Sequence, residues 1–291
     1  MLSLYHRQTS WFILAPLVVR LLLLVLLVGL PGADALRAQK EAPDSIPLSP
    51  EEWQQLEARL ETNPYHFHMM ERERAFTIIR AGMKTRPAGR PWYAMNGSML
   101  CMIDGERRRQ LEGQERVTAY RESIACSQEF YDFALERSQA MPTDSDMKVP
   151  VQGMKKDLAE AAVEAEETEL AKSLALSLLE QNLDPNSFYY GAIIHDANQV
   201  LGRVALREGN VADARRHLLE AGKTPGGPGL NSFGPSFFLA RELLDRGERE
   251  VVLEYLELVR RFWNNPGAVR ILDQSEREIQ EGEIPTSRNW H

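Results

Sequence analysis

The sequence predicts an all-α protein built largely from antiparallel helix pairs, with an export signal in front of them. Three observations carry that prediction. No stretch shows the apolar–polar alternation of a half-buried strand. Several apolar segments begin on capping residues followed by proline or glutamate, the signature of a helix start. Three segments in the second half repeat one spacing of small and apolar residues, so that each helix carries one stripe. Composition sets the outer bounds. The 291 residues are 43% hydrophobic and 26% charged, ordinary for a globular chain and unlike a disordered, collagen-like or polytopic membrane protein. A net charge of −8 argues against broad nucleic-acid binding, which needs a basic surface. Two cysteines do not make a disulfide-dense or zinc-cluster framework.

The first 35 residues read as a signal peptide. Arg7 supplies positive charge, Trp11 to Val19 and Leu21 to Leu30 are apolar, Pro31-Gly32 breaks the helix, and Ala33-Asp34-Ala35 is a small-x-small cleavage site. A membrane span needs about 20 apolar residues, and Trp11 to Leu30 reaches that only by burying Arg20. Cleavage after Ala35 is therefore expected, with a retained N-terminal anchor as the alternative. No cysteine lies near the site, which argues against a lipidated N-terminus. The cleaved chain keeps 32 basic and 41 acidic residues. Arginine outnumbers lysine 27 to 7, a bias common in GC-rich bacteria, so a periplasmic or secreted bacterial protein is expected. In that compartment Cys101 and Cys126 can pair; two buried thiols are the other reading.

Residues 36–48, with Pro43 and Pro47, read as a linker. Ser49-Pro50-Glu51-Glu52 caps a helix running to about Glu61. Asn63-Pro64 predicts a second helix to about Gly82. Residues 84–110 are broken by Pro87, Pro91, Asn96-Gly97 and Asp104-Gly105, which read as turns. Val117, Tyr120, Ile124, Phe130, Tyr131, Ala134 and Leu135 predict a long helix from about Glu112 to Gln139, closing an N-terminal helical region 49–140. Met141 to Pro150 reads as a boundary.

The repeated spacing then begins. Leu158, Ala159 and Ala162 with Ala171, Ala175 and Leu178 form the first set. Leu201, Gly202 and Ala205 with Ala214, Leu218 and Ala221 form the second, and Leu239, Ala240 and Leu243 with Val252, Leu256 and Val259 the third. The offsets are 43 and then 38 residues, with Gly209-Asn210 and Gly247-Glu248 at the matching turn. One pair cannot bury its stripe alone, so neighbouring pairs stack. Residues 268–281 read as a polar closing helix, completing a region 151–282, and 283–291 as a tail.

These segments resemble the tetratricopeptide repeat family over residues 153–263, best over 195–228, where Leu201-Gly202, Ala205, Ala214, Leu218 and Ala221 fall on the family's packing positions. Asn198 stands where the family has an aromatic, and the connections are longer than the family's. The resemblance implies a solenoid whose first helices line a concave groove. It places Gln199, Arg203, Arg207, Phe237, Arg241 and Asp245 on that groove, with Lys156, Glu160 and Glu164 in the first repeat. The function it implies is non-enzymatic binding of a partner's peptide or helix, acidic or C-terminal because Arg203 and Arg241 occupy equivalent places. The alternative is an envelope-associated, hydrolase-like enzyme with its site in 84–140.

Other motifs read as structural. Gly222-Lys223-Thr224 lacks the earlier glycine of a phosphate loop, where His217 stands, and reads as a helix C-cap. His66, His68 and Glu71 do not supply three zinc ligands on one face. His195-Asp196 reads as a helix start with Asp196 on the positive end of the dipole. Arg107-Arg108-Arg109 reads as a solvated helix start, and Asn96-Gly97-Ser98 as a turn that also fits a glycosylation sequon. Pro225 to Pro235 is a long connector, expected to pack with Leu230 and Phe233 tucked over helix ends, the other reading being an ordered loop that serves binding. No metal or cofactor is expected.

Overall fold

The computed structural model describes residues 48–291 apart from 64–65, 86–91, 104, 141–144, 181–184, 186, 188 and 291. The predicted signal peptide, its cleavage site at Ala35 and almost all of the predicted linker lie outside the described residues. Among those described, every regular element is a helix, and none is long and apolar enough to cross a membrane.

Helix α1 (Pro50–Thr62) starts on the predicted proline. The second helix does not start at Asn63. A 3-10 turn (His66–Met69) comes first, and α2 (Arg72–Thr85) begins where Glu71 caps it. The Glu71 carboxylate accepts from the Glu73 and Arg74 amides at 3.1 and 2.9 Å. That occupies the carboxylate with two orphan donors of the helix start. Asn96-Gly97, read as a turn, lies inside α3 (Trp92–Cys101). Its glycine serves packing: a Cβ on Gly97 would collide with the Phe130 ring. Asn96 and Ser98 are buried, which excludes a glycan there. After α4 (Gly105–Gln110), the long helix α5 (Gly113–Ala140) follows as predicted. Its Phe130 stacks on Phe76 of α2 with centroids 5.9 Å apart. The stretch read as a boundary becomes helix at Ser145, with Pro150 inside α6 (Ser145–Glu164).

The predicted pairs follow: α6 with α7 (Thr168–Leu179), α8 (Tyr190–Arg207) with α9 (Val211–Gly222), and α11 (Phe238–Leu244) with α12 (Arg249–Val259). Every stripe residue named above is buried. The turns inside the pairs share one geometry. Gly209 and Gly247 are left-handed at φ +78° and +81°, and Glu166 takes the matching place at φ +60°. In each turn the next residue's amide reaches back five positions: Glu167 to Ala162, Asn210 to Ala205 and Glu248 to Leu243, at 2.9, 2.8 and 3.0 Å. This is the helix-terminating bond that follows a left-handed residue. Gly202 is a close-contact point, but across pairs, because a Cβ there would collide with Leu239 of α11.

The connector folds as α10 (Pro228–Phe233), and α13 (Pro266–Glu281) closes the last pair, capped by Asn265, whose side chain accepts from Gly267 and Ala268. Residues Glu52–His291 form one compact unit. The predicted tail belongs to its core. Trp290 is fully buried, stacks on Phe237 at 4.7 Å and donates its indole N–H to Ser275 Oγ at 3.1 Å.

Candidate interaction surfaces

The first helices of the pairs bring together the predicted groove residues, but most of them are not free. Gln199 is buried; its amide donates to the Tyr255 hydroxyl at 3.3 Å and accepts from the Leu239 amide at 3.3 Å. Phe237 is fully buried in an aromatic cluster with Tyr255, Trp263 and Trp290. Arg203 lies 3.0 Å from Glu164 Oε1 and 2.7 Å from Glu242 Oε1. Arg241 donates to the Trp290 carbonyl at 3.2 Å. Arg207 and Asp245 do reach solvent. The groove expectation is corrected for Gln199, Arg203 and Phe237. An adjacent helix lies too close for an open channel at these three positions, and carboxylates of the same chain already neutralise Arg203.

The electrostatics follow from this packing. Burial pushes the Glu164 carboxyl up, but Arg203, Arg116 and Arg108 outweigh it and hold the group below its ordinary range. Burial likewise opposes the Arg203 charge, and Glu164 and Glu242 more than compensate, raising its already high pKa. Lys156 sits among Asp157, Glu160 and Asp196 at 3.0, 3.5 and 3.7 Å. Those carboxylates outweigh its burial and raise its pKa well above the usual lysine range.

His195-Asp196 is not a helix start: α8 begins at Tyr190, which puts Asp196 beyond the first turn and its dipole. Asp196 instead holds the His195 ring, with Nδ1 to Oδ1 at 2.7 Å, while His195 Nε2 faces the Tyr255 hydroxyl at 3.0 Å. A proton on Nδ1 leaves Nε2 to accept from the phenol, so both ring nitrogens are satisfied. Burial opposes the Asp196 charge, but Lys156 and the His195 hydrogen bond hold its pKa down. Burial pushes the Tyr255 phenol well above its ordinary range. With His195 fully buried, this chain ties α6, α8 and α12 together.

Helices from outside the pairs reach the same layer. Arg108 of α4 places its guanidinium 4.9 Å from the Phe238 ring centroid and donates to the Tyr120 hydroxyl at 2.6 Å. Arg116 of α5 lies 2.7 Å from Glu164 Oε2. Arg108 is therefore docked, not a member of a solvated run. Cys101 and Cys126 are joined as a disulfide with Cα atoms 5.6 Å apart, tying the end of α3 to α5 around α4. Three buried serines of α3 and α5 are paired: Ser98 with Ser127 across the two helices, and Ser123 with the Ala119 carbonyl.

The connector carries the second surface. Leu230 tucks into the core as expected, but Phe233 is 83% exposed. The segment around it is fastened. Asn289 donates to the Phe233 and Pro235 carbonyls at 3.1 and 3.0 Å, and Asn265 to the Asn231 carbonyl at 3.2 Å. Gly234 is left-handed at φ +83°, and a Cβ there would stand 2.5 Å from the Trp263 ring, so the turn requires glycine. Upstream, Gly222 ends α9 in contact with Tyr255 and Leu258, and Thr224 donates to the Gly191 carbonyl at 2.7 Å. Both residues serve packing.

Sequence reasoning missed Phe233's exposure, Trp290, Tyr255 and Glu242. Only Phe233 carried a signal, as the large apolar residue in a Gly-Pro connector too long for a plain link. In comparison with known proteins, no family model, no curated protein and no solved structure matches this chain.

Proposed function

We propose that the chain is a non-enzymatic protein-interaction scaffold, a solenoid of tetratricopeptide-like helix pairs working in the periplasm or outside the cell. The observation that carries this reading is Phe233, 83% exposed on a connector clamped by Asn265 and Asn289. An exposed aromatic held in place loses little entropy on docking, the property of an interface anchor. The Cys101–Cys126 disulfide supports an oxidising compartment. Cleavage after Ala35 belongs to the same proposal; N-terminal sequencing from the native host should begin at Leu36, and an intact Met1 on a membrane-bound product would refute it.

The test of binding is affinity capture from the native envelope with the chain from Leu36 onward, run beside Phe233→Asp. The variant should keep its helix content and melting temperature, since the side chain touches solvent, and lose a protein that the parent retains. Identical captures from both chains would remove Phe233 as the anchor.

A further inference from the structure

The inner face of the helix pairs is already occupied, and its occupants are arginines. Arg108 and Arg116 belong to α4 and α5, outside the three pairs. Both end on side chains of the pairs: Arg108 over the Phe238 ring at 4.9 Å, and Arg116 on Glu164 at 2.7 Å. An aromatic face and a buried carboxylate are the two groups that recognise a guanidinium best. The fit is incomplete. Arg116 Nε is buried and makes no hydrogen bond. Beside this seat, Asp157, Glu160 and Asp196 share Lys156, and Asp157 and Glu160 are 33% and 36% exposed while Asp196 also holds His195. The occupying segment is also weakly self-sufficient. Helix α4 has six residues, too few to be stable alone, and the Cys101–Cys126 bridge closes the loop that carries it.

We propose that this inner face binds an arginine-bearing helical segment of a partner protein, and that α4 and the start of α5 hold the place in cis. The chemistry is the reverse of the acidic partner that the groove positions suggested. Arg203, the cation meant to receive an acid, is already neutralised by Glu164 and Glu242. The groups that accept from another segment are Phe238 and Glu164. A partner's arginines take the places of Arg108 and Arg116, and α4 leaves to admit them. The inference rests on the scaffold reading but not on Phe233.

The probe is a fluorescent synthetic peptide of residues 105–122, titrated by anisotropy against the full chain. Arg108→Ala, with the disulfide intact, removes the closer of the two guanidinium groups on the Phe238 ring and leaves Arg203 at 5.6 Å. It should bind the peptide at least tenfold more tightly than the parent does. Adding Cys101→Ser and Cys126→Ser should tighten binding further by loosening the tether. A peptide with Arg108 and Arg116 replaced by alanine should lose tenfold or more, as should Phe238→Ala placed in the Arg108→Ala chain. Phe233→Asp in that same chain should leave the affinity unchanged. Equal affinity for parent and Arg108→Ala, or equal binding of the alanine peptide, overturns the proposal. If the cysteine variant fails to fold, Arg108→Ala alone decides it. Failure here together with a Phe233-dependent capture leaves the scaffold reading standing and removes only the arginine seat.

Discussion

Replacing Arg203 by methionine keeps most of the aliphatic stem and removes the charge and the hydrogen-bonding fork. An exposed groove arginine would tolerate this within about 0.5 kcal/mol. The structure predicts a larger cost. Glu164 is 5% exposed at its side chain and loses the partner of Oε1 at 3.0 Å, while Oε2 keeps Arg116 at 2.7 Å. Leaving one acceptor buried and unsatisfied costs about 1–3 kcal/mol, and more when the group is charged. Glu242 is 26% exposed and rehydrates, adding little. Breaking a fully buried pair costs about 3–5 kcal/mol, and the surviving Arg116 contact keeps this case lower, so the expected loss is about 2–4 kcal/mol. Urea unfolding followed by circular dichroism measures it. The cycle completed by Glu164→Gln should show the double variant less destabilised than the sum of the singles. Acid dependence gives a second reading. The folded pKa of Glu164 lies below its ordinary value of 4.5. The unfolded chain therefore binds more protons near that value, so this contribution is full above it and is lost as pH falls through the folded pKa. Without Arg203 the folded pKa rises, and acid unfolding should begin at higher pH. A midpoint and an acid limb both unchanged from the parent would refute the burial of Arg203.

Three other expectations follow from the packing. Glu166→Gly should raise stability by about 0.5–1 kcal/mol, because a non-glycine residue in the left-handed region costs about 1–2 kcal/mol, partly offset by glycine's own chain entropy; a lower urea midpoint would show that the Glu166 side chain contributes more than its backbone costs. Gly202→Leu should lose about 1–3 kcal/mol or more by overpacking against Leu239, and in combination with Leu239→Ala the two costs should not add; simple additivity in urea unfolding would place the contact elsewhere. Trp290→Ala should cost about 3–5 kcal/mol, as for a core aromatic, and a melting temperature equal to the parent's would mean that residues 283–291 do behave as a tail.

The parts of the fold legible in the sequence are those fixed by neighbours in the chain. The start of α1 at Pro50, the long helix α5, the stripes of the three pairs and their turns depend on spacings within one or two helices. The Glu166 turn shows how far this reaches: glutamate hides the position from a glycine-based reading, yet the offset of 43 residues points to it. The misread parts answer to distant partners. Asn96-Gly97 has turn chemistry, but Phe130 packs on the glycine and the pair becomes helix interior. Trp290 finds Phe237 and Ser275 only after the chain folds. Gln199, Arg203, Arg207 and Arg241 lie on first helices, with Phe237 and Asp245 at the two ends of α11, but exposure depends on how close the next helix lies, which spacing alone does not report.

The ion triplet around Arg203 has a role that the stripes cannot fill. The three pairs repeat one spacing of small and apolar residues, and that spacing alone permits stacking in more than one register. Arg203 in α8 is held by Glu164 of α6 and Glu242 of α11, so one side chain joins all three pairs. Its carboxylates do not follow the repeat: the places equivalent to Glu164 and Glu242 in α8 are Arg207 and Val204. Sliding α6–α7 or α8–α9 by a turn would separate Glu164 from Arg203 and leave a buried charge unmatched, at a cost of several kcal/mol, whereas sliding α11–α12 would take from Arg203 only its part-exposed partner Glu242. The triplet replaces packing that hydrophobic residues would provide with no desolvation penalty, and what it adds is a single register. That is the same economy by which one buried polar residue fixes the alignment of a coiled coil, and it accounts for an arginine placed where an exposed groove had been expected.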